Sequence, residues 1–414
     1  MSSNRWPPCA ALACIASAVL STSVAAQTAP TFPTLLRQAQ ASAPRLALGA
    51  AETHVAKGQV TQAGARPNPV LGLMVENAGG SGPYKDFDSA ETTLSIEQPL
   101  ELGGKRAARL SAAEAELAAA RARAASERVD FARDLALAYA DAEAAQQRRV
   151  IARDGVDLAQ ADARRARLLV ENGKEAEVRS IQAESALATA RADLAAAQAQ
   201  AEATLARLSA LTGSPETYVA VAGGLLDTAP AAPTTPPTFG PAIAAARAER
   251  DAAERRIAVE RTRRTPDLSV SFGVRQFQSD NSTAAVFGVS MPLPLFDRNR
   301  GAVAAATASA QAARARLAKA QAEQDGDRRA ATARVAASAP MLEASRQAEN
   351  ATSEAYRLAR IGYDAGRLPL SDLLAARRDL IVARGRAVDT KLARVNALAD
   401  LARAQGVLPF GDQP

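Results

Sequence analysis

The residues able to do chemistry in this 414-residue chain are few and scattered. The one histidine, His54, sits among Glu52, Thr53 and Lys57 in a segment that reads as a helix. It reads as an ordinary surface or interface side chain rather than a ligand or a base. Both cysteines, Cys9 and Cys14, fall within the first 26 residues, and the soft donors beyond them are Met74, Met291 and Met341. A tight metal site needs clustered His, Cys or carboxylates, and the sequence displays no such cluster. No catalytic residue, cofactor site or metal site is therefore assigned; a metal ion would be cargo and not a resident. One charged pair stands apart. Arg179 and Asp372 are 193 residues apart, and each lies six residues past a glycine, Gly173 or Gly366.

That spacing belongs to the whole chain. At the same offset Pro99 meets Pro292, Gly173 meets Gly366 and Gly213 meets Gly406. Ile181 meets Leu374, Leu187 meets Leu380, Leu205 meets Leu398 and Leu208 meets Leu401. The period is too long for a solenoid and reads as a duplicated unit. Each half runs helix, strand, loop, strand, proline, long helix, glycine turn, long helix, glycine. The expected boundaries are a leader at 1–26, a first repeat at 27–226, a linker at 227–241 and a second repeat at 242–414. The linker holds Pro230, Pro233, Pro236, Pro237 and Pro241, so it cannot continue a helix. It is either a flexible tether or a strap across one fused body.

The leader has Arg5 in a short n-region, an apolar stretch from Ala10 to Leu20, and small residues up to Ala26. That is a secretory signal with cleavage expected after Ala26. The stretch is too short to span a bilayer. Lipidation at Cys14 is the weaker alternative, because too few residues precede it. The chain carries 50 Lys+Arg against 44 Asp+Glu and a formal charge of +6, but the two signs are interspersed. This reads as solvated helix faces and not a nucleic-acid patch. Aromatics make up only 4%, so an aromatic-filled globular core is excluded, and the alanine-rich, charged composition points to long packed helices.

From Gly104 to Glu171 the only breaker is Gly155, and apolar residues recur every seven positions: Leu110, Leu117, Ala124, Phe131, Ala138, Ala145, Ala152, Ala159 and Ala166. Such heptads favour supercoiled packing, and a helix of this length spans about 100 Å. A returning helix is expected over Glu175–Leu211. In the second half Leu374, Ile381, Val388, Val395 and Ala402 keep the spacing. Any coiled-coil hairpin would satisfy these repeats, but four short alternating segments would not belong to one: Val70–Asn77, Glu91–Gln98, Leu268–Gln276 and Val286–Met291. Each has one apolar face and one small or polar face, near the length of a tilted membrane strand. Their loops, Ala78–Ser89 and Phe277–Thr283, are polar. After the leader there is no apolar run long enough for a membrane helix, so entry into a membrane would require strands closed into a barrel. Four strands cannot close one with a usable lumen, so copies must assemble; three copies would give twelve strands.

With this repeat in hand, the chain resembles the TolC-type outer-membrane efflux family over essentially all of its length past the leader. The junctions Glu97-Gln98-Pro99-Leu100-Glu101-Leu102-Gly103-Gly104-Lys105-Arg106 and Pro292-Leu293-Pro294-Leu295-Phe296-Asp297-Arg298-Asn299-Arg300-Gly301 resemble those of its CzcC-like, cobalt–zinc–cadmium group. The resemblance implies a mainly α fold with a membrane β-barrel: a homotrimer whose 12-stranded barrel in outer-membrane lipid continues into a long α-helical periplasmic tunnel. It implies an adaptor (membrane fusion) protein and an inner-membrane RND pump as partners, and a Gram-negative outer-membrane location. It places adaptor contact and the closable aperture at the turns, here Asn172, Gly173 and Lys174, and Ala365, Gly366 and Arg367. It also implies that Asp372 faces the pore. Arg179 and Asp372, with Tyr363 nearby, are then expected to pair across the closed tip.

The reading is a passive export duct of a tripartite system for divalent Co, Zn, Cd or Ni, and not an enzyme. The same channel exporting drugs, copper or protein is one alternative. A periplasmic coiled-coil adaptor or structural protein is another, against which two hairpins and four strands argue.

Overall fold

The computed structural model describes residues 27–228 and 240–410. The leader, its cleavage point after Ala26 and Cys14 lie outside them, as does most of the proline-rich linker. In chain order the elements are β1 (Thr28–Ala29), α1 (Phe32–Ser42), α2 (Pro44–Gly64), β2 (Val70–Glu76), β3 (Glu91–Leu100), α3 (Lys105–Glu171), α4 (Glu177–Thr212), β4 (Ala220–Val221), α5 (Pro241–Thr262), β5 (Leu268–Phe277), β6 (Thr283–Ser290), α6 (Arg300–Asp364) and α7 (Leu370–Gln405). The duplication is visible in length: α3 and α6 have 67 and 65 residues, and α4 and α7 have 36 each.

Both long helices stop in the same way. The Gly173 amide donates to the Val170 carbonyl and the Lys174 amide to Leu169. The Gly366 amide donates to Tyr363 and the Arg367 amide to Gly362. These are paired Schellman caps. They require a left-handed residue, and Gly173 and Gly366 have φ of 68° and 67°, which costs glycine nothing. Two sequence expectations shift. Pro241 opens α5 rather than closing the linker, since a first-turn proline loses no helical hydrogen bond. The strand expected at Val286–Met291 begins at Thr283 and ends at Ser290, because pairing with β5 carries it to the turn. Beyond these, α6 runs through Pro340 without ending.

The heptad positions of α3 are buried or half-buried, with Phe131, Ala145, Ala159 and Ala166 at most 1% exposed. Alanine at the seam lets helix axes approach closely. Midway along the hairpins the packing thickens into a core of Phe32, Leu35, Leu135, Tyr139, Leu208 and Val395. Phe32 meets Tyr139 and Phe410 edge-on, at ring separations of 5.9 and 6.0 Å. Here Glu143 accepts backbone N–H bonds from Gly224 (2.8 Å), Leu225 (3.0 Å) and Leu226 (3.2 Å), and Tyr139 Oη accepts one from Gly223. The chain entering the linker is thus fixed to α3, as a strap would be.

The four main strands form one antiparallel sheet in the order β2-β3-β5-β6. The halves join at β3–β5, from Glu91↔Phe277 to Leu100↔Leu268. One register row is Leu71, Ile96, Phe272 and Phe287, and the next is Leu73, Leu94, Val274 and Ala285. Leu71 and Phe287 are 73% and 72% exposed. The other face carries Gly72, Ser95 and Gly273 in one row and Thr93 and Arg275 in another. The outer edges of β2 and β6 have no strand beside them.

An Ala140→Leu change, at a fully buried position in the mid-length core, is expected to overpack and cost about 1–3 kcal/mol. The same change at exposed Ala176 should cost under about 0.5 kcal/mol. Thermal denaturation of the two purified variants against the parent checks this.

Candidate functional site

Two surfaces follow from this architecture: the bare sheet and the helical tips. On the polar sheet face Arg275 reaches from β5 across β3. Its guanidinium pairs with Glu76 at 2.9 Å and Glu91 at 2.8 Å and donates to Thr93 at 2.9 Å. One cation thereby ties three strands and both repeats, in a row that also holds Met74 and Ala284. That is a wettable wall opposite an apolar one, as a lipid/lumen boundary needs. Among the described residues no helix is long and apolar enough to cross a membrane. Nor is any group of three or more His, Cys, Asp or Glu placed to hold a metal ion. His54 is exposed on α2.

At the tips, Asn172, Gly173 and Lys174 and Ala365, Gly366 and Arg367 are all exposed. They are flanked by exposed Leu168, Val178 and Ile181 on one turn and Leu358, Ile361 and Leu368 on the other. Arg179 and Asp372 are each the third residue of their helices. Asp372 in the first turn of α7 is favoured by the helix dipole and accepts the Ser371 hydroxyl at 3.2 Å. Arg179 reaches Glu175 at 3.8 Å and donates to Gln182 at 3.1 Å. Within one chain the two do not pair with each other. Arg179 and Ser371 nonetheless line one open groove of about 670 Å³ between α3, α4 and α7. Tyr363 belongs to the apolar tip core with Leu370 and Leu373. Burial, with Glu175 adding and Arg179 opposing, pushes its phenol up.

A charged site missed by sequence reasoning lies just above. Asp162 on α3 is wholly buried and pairs with Arg377 on α7 at 3.1 Å. The Tyr356 hydroxyl on α6 donates to it at 3.4 Å, and Arg165 approaches at 3.6 Å. Burial pushes the Asp162 carboxyl up, against the pull of Arg377, Arg165 and Tyr356. Burial and the Asp162 charge push the Tyr356 phenol up to about 12. The signal was in the heptads. Asp162 stands three past Ala159 and four before Ala166; Arg377 stands three past Leu374 and four before Ile381. Each is a charge in a core position. The pair is the lowest rung of a ladder between α3 and α7 that includes Asp130–Arg403 (2.6 Å), Arg133–Asp400 (2.8 Å), Arg148–Asp389 (2.5 Å) and Asp154–Arg384 (3.4 Å). Only the lowest rung is buried on both sides.

With this geometry, comparison with known proteins is decisive. The family model for outer membrane efflux proteins matches residues 35–214 and 240–407, one segment in each repeat. The chain belongs to the outer membrane efflux protein family. It is 41% identical over 409 residues to the nickel-cobalt-cadmium resistance protein NccC of Alcaligenes xylosoxydans xylosoxydans, covering 98% of this chain and 93% of that one. It is 32% identical over 346 residues to the cobalt-zinc-cadmium resistance protein CzcC of Cupriavidus metallidurans, covering 82% and 81%. Among solved structures, CusC superposes with a TM-score of 0.77 at 19% identity, covering 91% of this chain and 92% of that one. The VceC outer membrane protein of Vibrio cholerae gives 0.74 at 22% identity, covering 92% and 97%. These likenesses fix the fold as that of an outer-membrane channel. The family is one of transport ducts and not of enzymes, and its place is the Gram-negative outer membrane.

Arg377→Gln leaves Asp162 charged and buried without its main partner and is expected to cost about 3–5 kcal/mol. Arg384→Gln, at an exposed rung, should cost no more than about 1 kcal/mol. An Asp162→Leu/Arg377→Met double variant should recover most of the loss; denaturant titration of the three variants measures this. The folded value of Asp162 lies above that of a free aspartate. Its linkage therefore favours the folded chain as pH falls through that raised value towards the ordinary carboxylate range. Infrared difference spectra against Asp162→Asn should show a carboxyl band forming at higher pH than for exposed carboxylates. A band forming at or below their range would contradict the burial argument.

Proposed function

We propose that this chain is the passive outer-membrane duct of a tripartite, RND-driven efflux system that exports divalent Ni, Co, Cd or Zn. The carrying observation is the near full-length likeness to nickel-cobalt-cadmium and cobalt-zinc-cadmium resistance proteins, on a fold that offers a wall and a tunnel but no reaction centre. Three copies close the barrel in lipid, the hairpins cross the periplasm, and the leader is removed after Ala26. The tips dock an adaptor: turns of Asn172–Lys174 and Ala365–Arg367, flanked by exposed leucine, isoleucine and valine, suit a partner with an amphipathic helical end. Energy and ion choice come from the inner-membrane pump. Lumen serines, threonines and glycines suit a water-filled, weakly selective path.

At the aperture, Arg179 of one copy faces Asp372 of the next in the closed state, behind the packed Tyr363. An exposed pair is worth only about 0–1 kcal/mol, repeated in each copy. That is a barrier an adaptor can overcome. The first repeat has a cation where the second has an anion, and neither has a strong partner within its own chain, which supports the assignment.

Deletion of the gene should lower growth on Ni, Co, Cd or Zn and leave tolerance of lipophilic drugs unchanged. Sensitivity to drugs or copper alone would keep the channel and discard the metal cargo. In planar bilayers, Arg179→Asp should raise closed-state conductance several-fold. Unchanged conductance would remove Arg179 from the gate.

A further inference from the structure

The basic excess of this chain is concentrated at one level. The four junctions between strand and helix, 64–69, 101–109, 260–267 and 291–300, hold nine Arg or Lys against four Asp or Glu, a net +5. The formal charge of the chain is +6, of which Arg5 in the leader carries one, so the junctions account for all that remains. The other end of the sheet differs: its loops, 77–90 and 278–282, hold one Lys against three Asp. The junction acids are already engaged. Glu101 pairs with Arg109, Asp267 with Lys105 at 2.7 Å and Glu260 with Arg263 at 2.8 Å, while Asp297 accepts the Asn299 amide at 2.8 Å. Arg264, Arg298 and Arg300 are exposed and have no ion pair among the described residues. Arg106, also exposed, donates to the Gly64 carbonyl at 2.7 Å. Both long helices open on these cations, Lys105-Arg106 and Arg300, with no acid in the first turn, against the preference of the helix dipole. Apolar side chains stand beside them. Past β6, Met291, Leu293 and Leu295 keep the alternation of Phe287 and Val289, and Phe296, two residues before Arg298, is 99% exposed.

We propose that this rim is a binding surface for anionic glycerophospholipid of the periplasmic leaflet: Arg106, Arg264, Arg298 and Arg300 take headgroup phosphates, and Leu295 and Phe296 sit among the acyl chains beside them. A basic cluster directly outside a membrane span recognises anionic lipid. A guanidinium meets a phosphate with two parallel donors, and its apolar stem lets the charge reach the headgroups from a site within the boundary. An aromatic ring at the level where strands end belongs to the same boundary. Two other partners fail. A second copy cannot neutralise the rim, because its own junctions carry the same net +5 and its junction acids are spent. Water solvates the arginines but leaves Phe296, Leu293 and Leu295 bare. An anionic amphiphile satisfies both features at once, and its phosphate also offsets the cations at the starts of α3 and α6.

The inference rests on the lipid-embedded duct proposed above, and the two can fail separately. The full chain, purified from outer membranes in a neutral detergent, is titrated with phosphatidylglycerol or with zwitterionic phosphatidylethanolamine. Native mass measurement counts bound lipid and copies of the chain. Phosphatidylglycerol should bind about ten-fold tighter, and Arg298→Gln/Arg300→Gln should remove most of that difference. Arg329→Gln/Arg346→Gln, the same loss of charge at exposed positions further along α6, should leave it intact. Equal losses in the two double variants would reduce the effect to net charge and overturn the site. Inorganic phosphate and glycerophosphate at millimolar levels should not displace the lipid; displacement would assign the arginines to free phosphate. Phe296→Ser should weaken both lipids alike and leave the copy number unchanged. Fewer copies with unchanged lipid binding would place Phe296 between copies and overturn its seat in lipid. Arg106→Gln/Arg264→Gln repeats the test at two other junctions should the first variant fail to assemble. A parent chain that sits in the outer membrane but does not distinguish the lipids overturns this site and keeps the duct. A parent chain that does not enter the outer membrane overturns both.

Discussion

A sheet exposed to lipid may not end in bare strand edges, and this constraint organises the molecule. Each unsatisfied backbone group in hydrocarbon costs several kcal/mol. An open four-stranded sheet has two such edges, so the strands β2, β3, β5 and β6 describe only part of a wall. The duplication is a consequence that can be read at β3–β5. A unit of two strands that can bond to a copy of itself in tandem can also bond to a copy on another chain, by the same surfaces. On the proposed multi-copy reading the internal seam is the chemical precedent for one between copies, and duplication halves the number of separate chains a closed wall requires.

The helices obey a second constraint, that of a wall one helix thick with water on both sides. Such a wall has no deep core. Its stability comes from closely packed alanine seams, a local core at mid-length around Phe32 and Tyr139, and charge pairing between α3 and α7. The rungs of that pairing differ in kind. Exposed rungs are worth at most about 1 kcal/mol each and are screened by salt. Asp162–Arg377 has lost its water, so its breakage would strand a charge. Breaking the α3–α7 contact near the tip is therefore expected to cost more than breaking any of the exposed rungs above it.

Much of this was legible in the sequence because it rests on local, periodic signals. The Gly173 and Gly366 turns, the four alternating strands and the two hairpins follow from spacing and backbone chemistry. What was not legible depends on which helices become neighbours. Asp162 and Arg377 are 215 residues apart, and their meeting requires α3 to lie beside α7. Their core heptad positions could have marked each as anomalous, but not as partners. Likewise Arg275 stands on the polar side of an alternating strand, while its glutamates on β2 and β3 emerged only with the sheet order. Tyr363 ran the other way: its place beside the aperture turn made it a candidate gate residue, and the fold uses it as core. Glu143 gave no sequence signal at all, since its partners are backbone amides.

On the proposed reading, ion choice belongs to the pump that feeds this duct. Discriminating one divalent ion from another takes several donors held at fixed distances. The described residues hold no such group of His, Cys, Asp or Glu, and the sheet's inner face mixes small residues such as Gly72, Ser95 and Gly273 with the Arg275 cluster and with apolar Val70, Met74 and Val286. A wall of that kind can set net charge and width but cannot count ligands. On the proposed reading width is set at the tips, where Arg179 and Asp372 reach solvent and an exposed pair contributes only a small barrier, close to the buried Asp162–Arg377 pair. A duct built this way gains export capacity by lowering a weak barrier at one end. On the proposed reading ion identity is decided before the ion arrives, which makes a wall without ligands compatible with relatives named for particular metals.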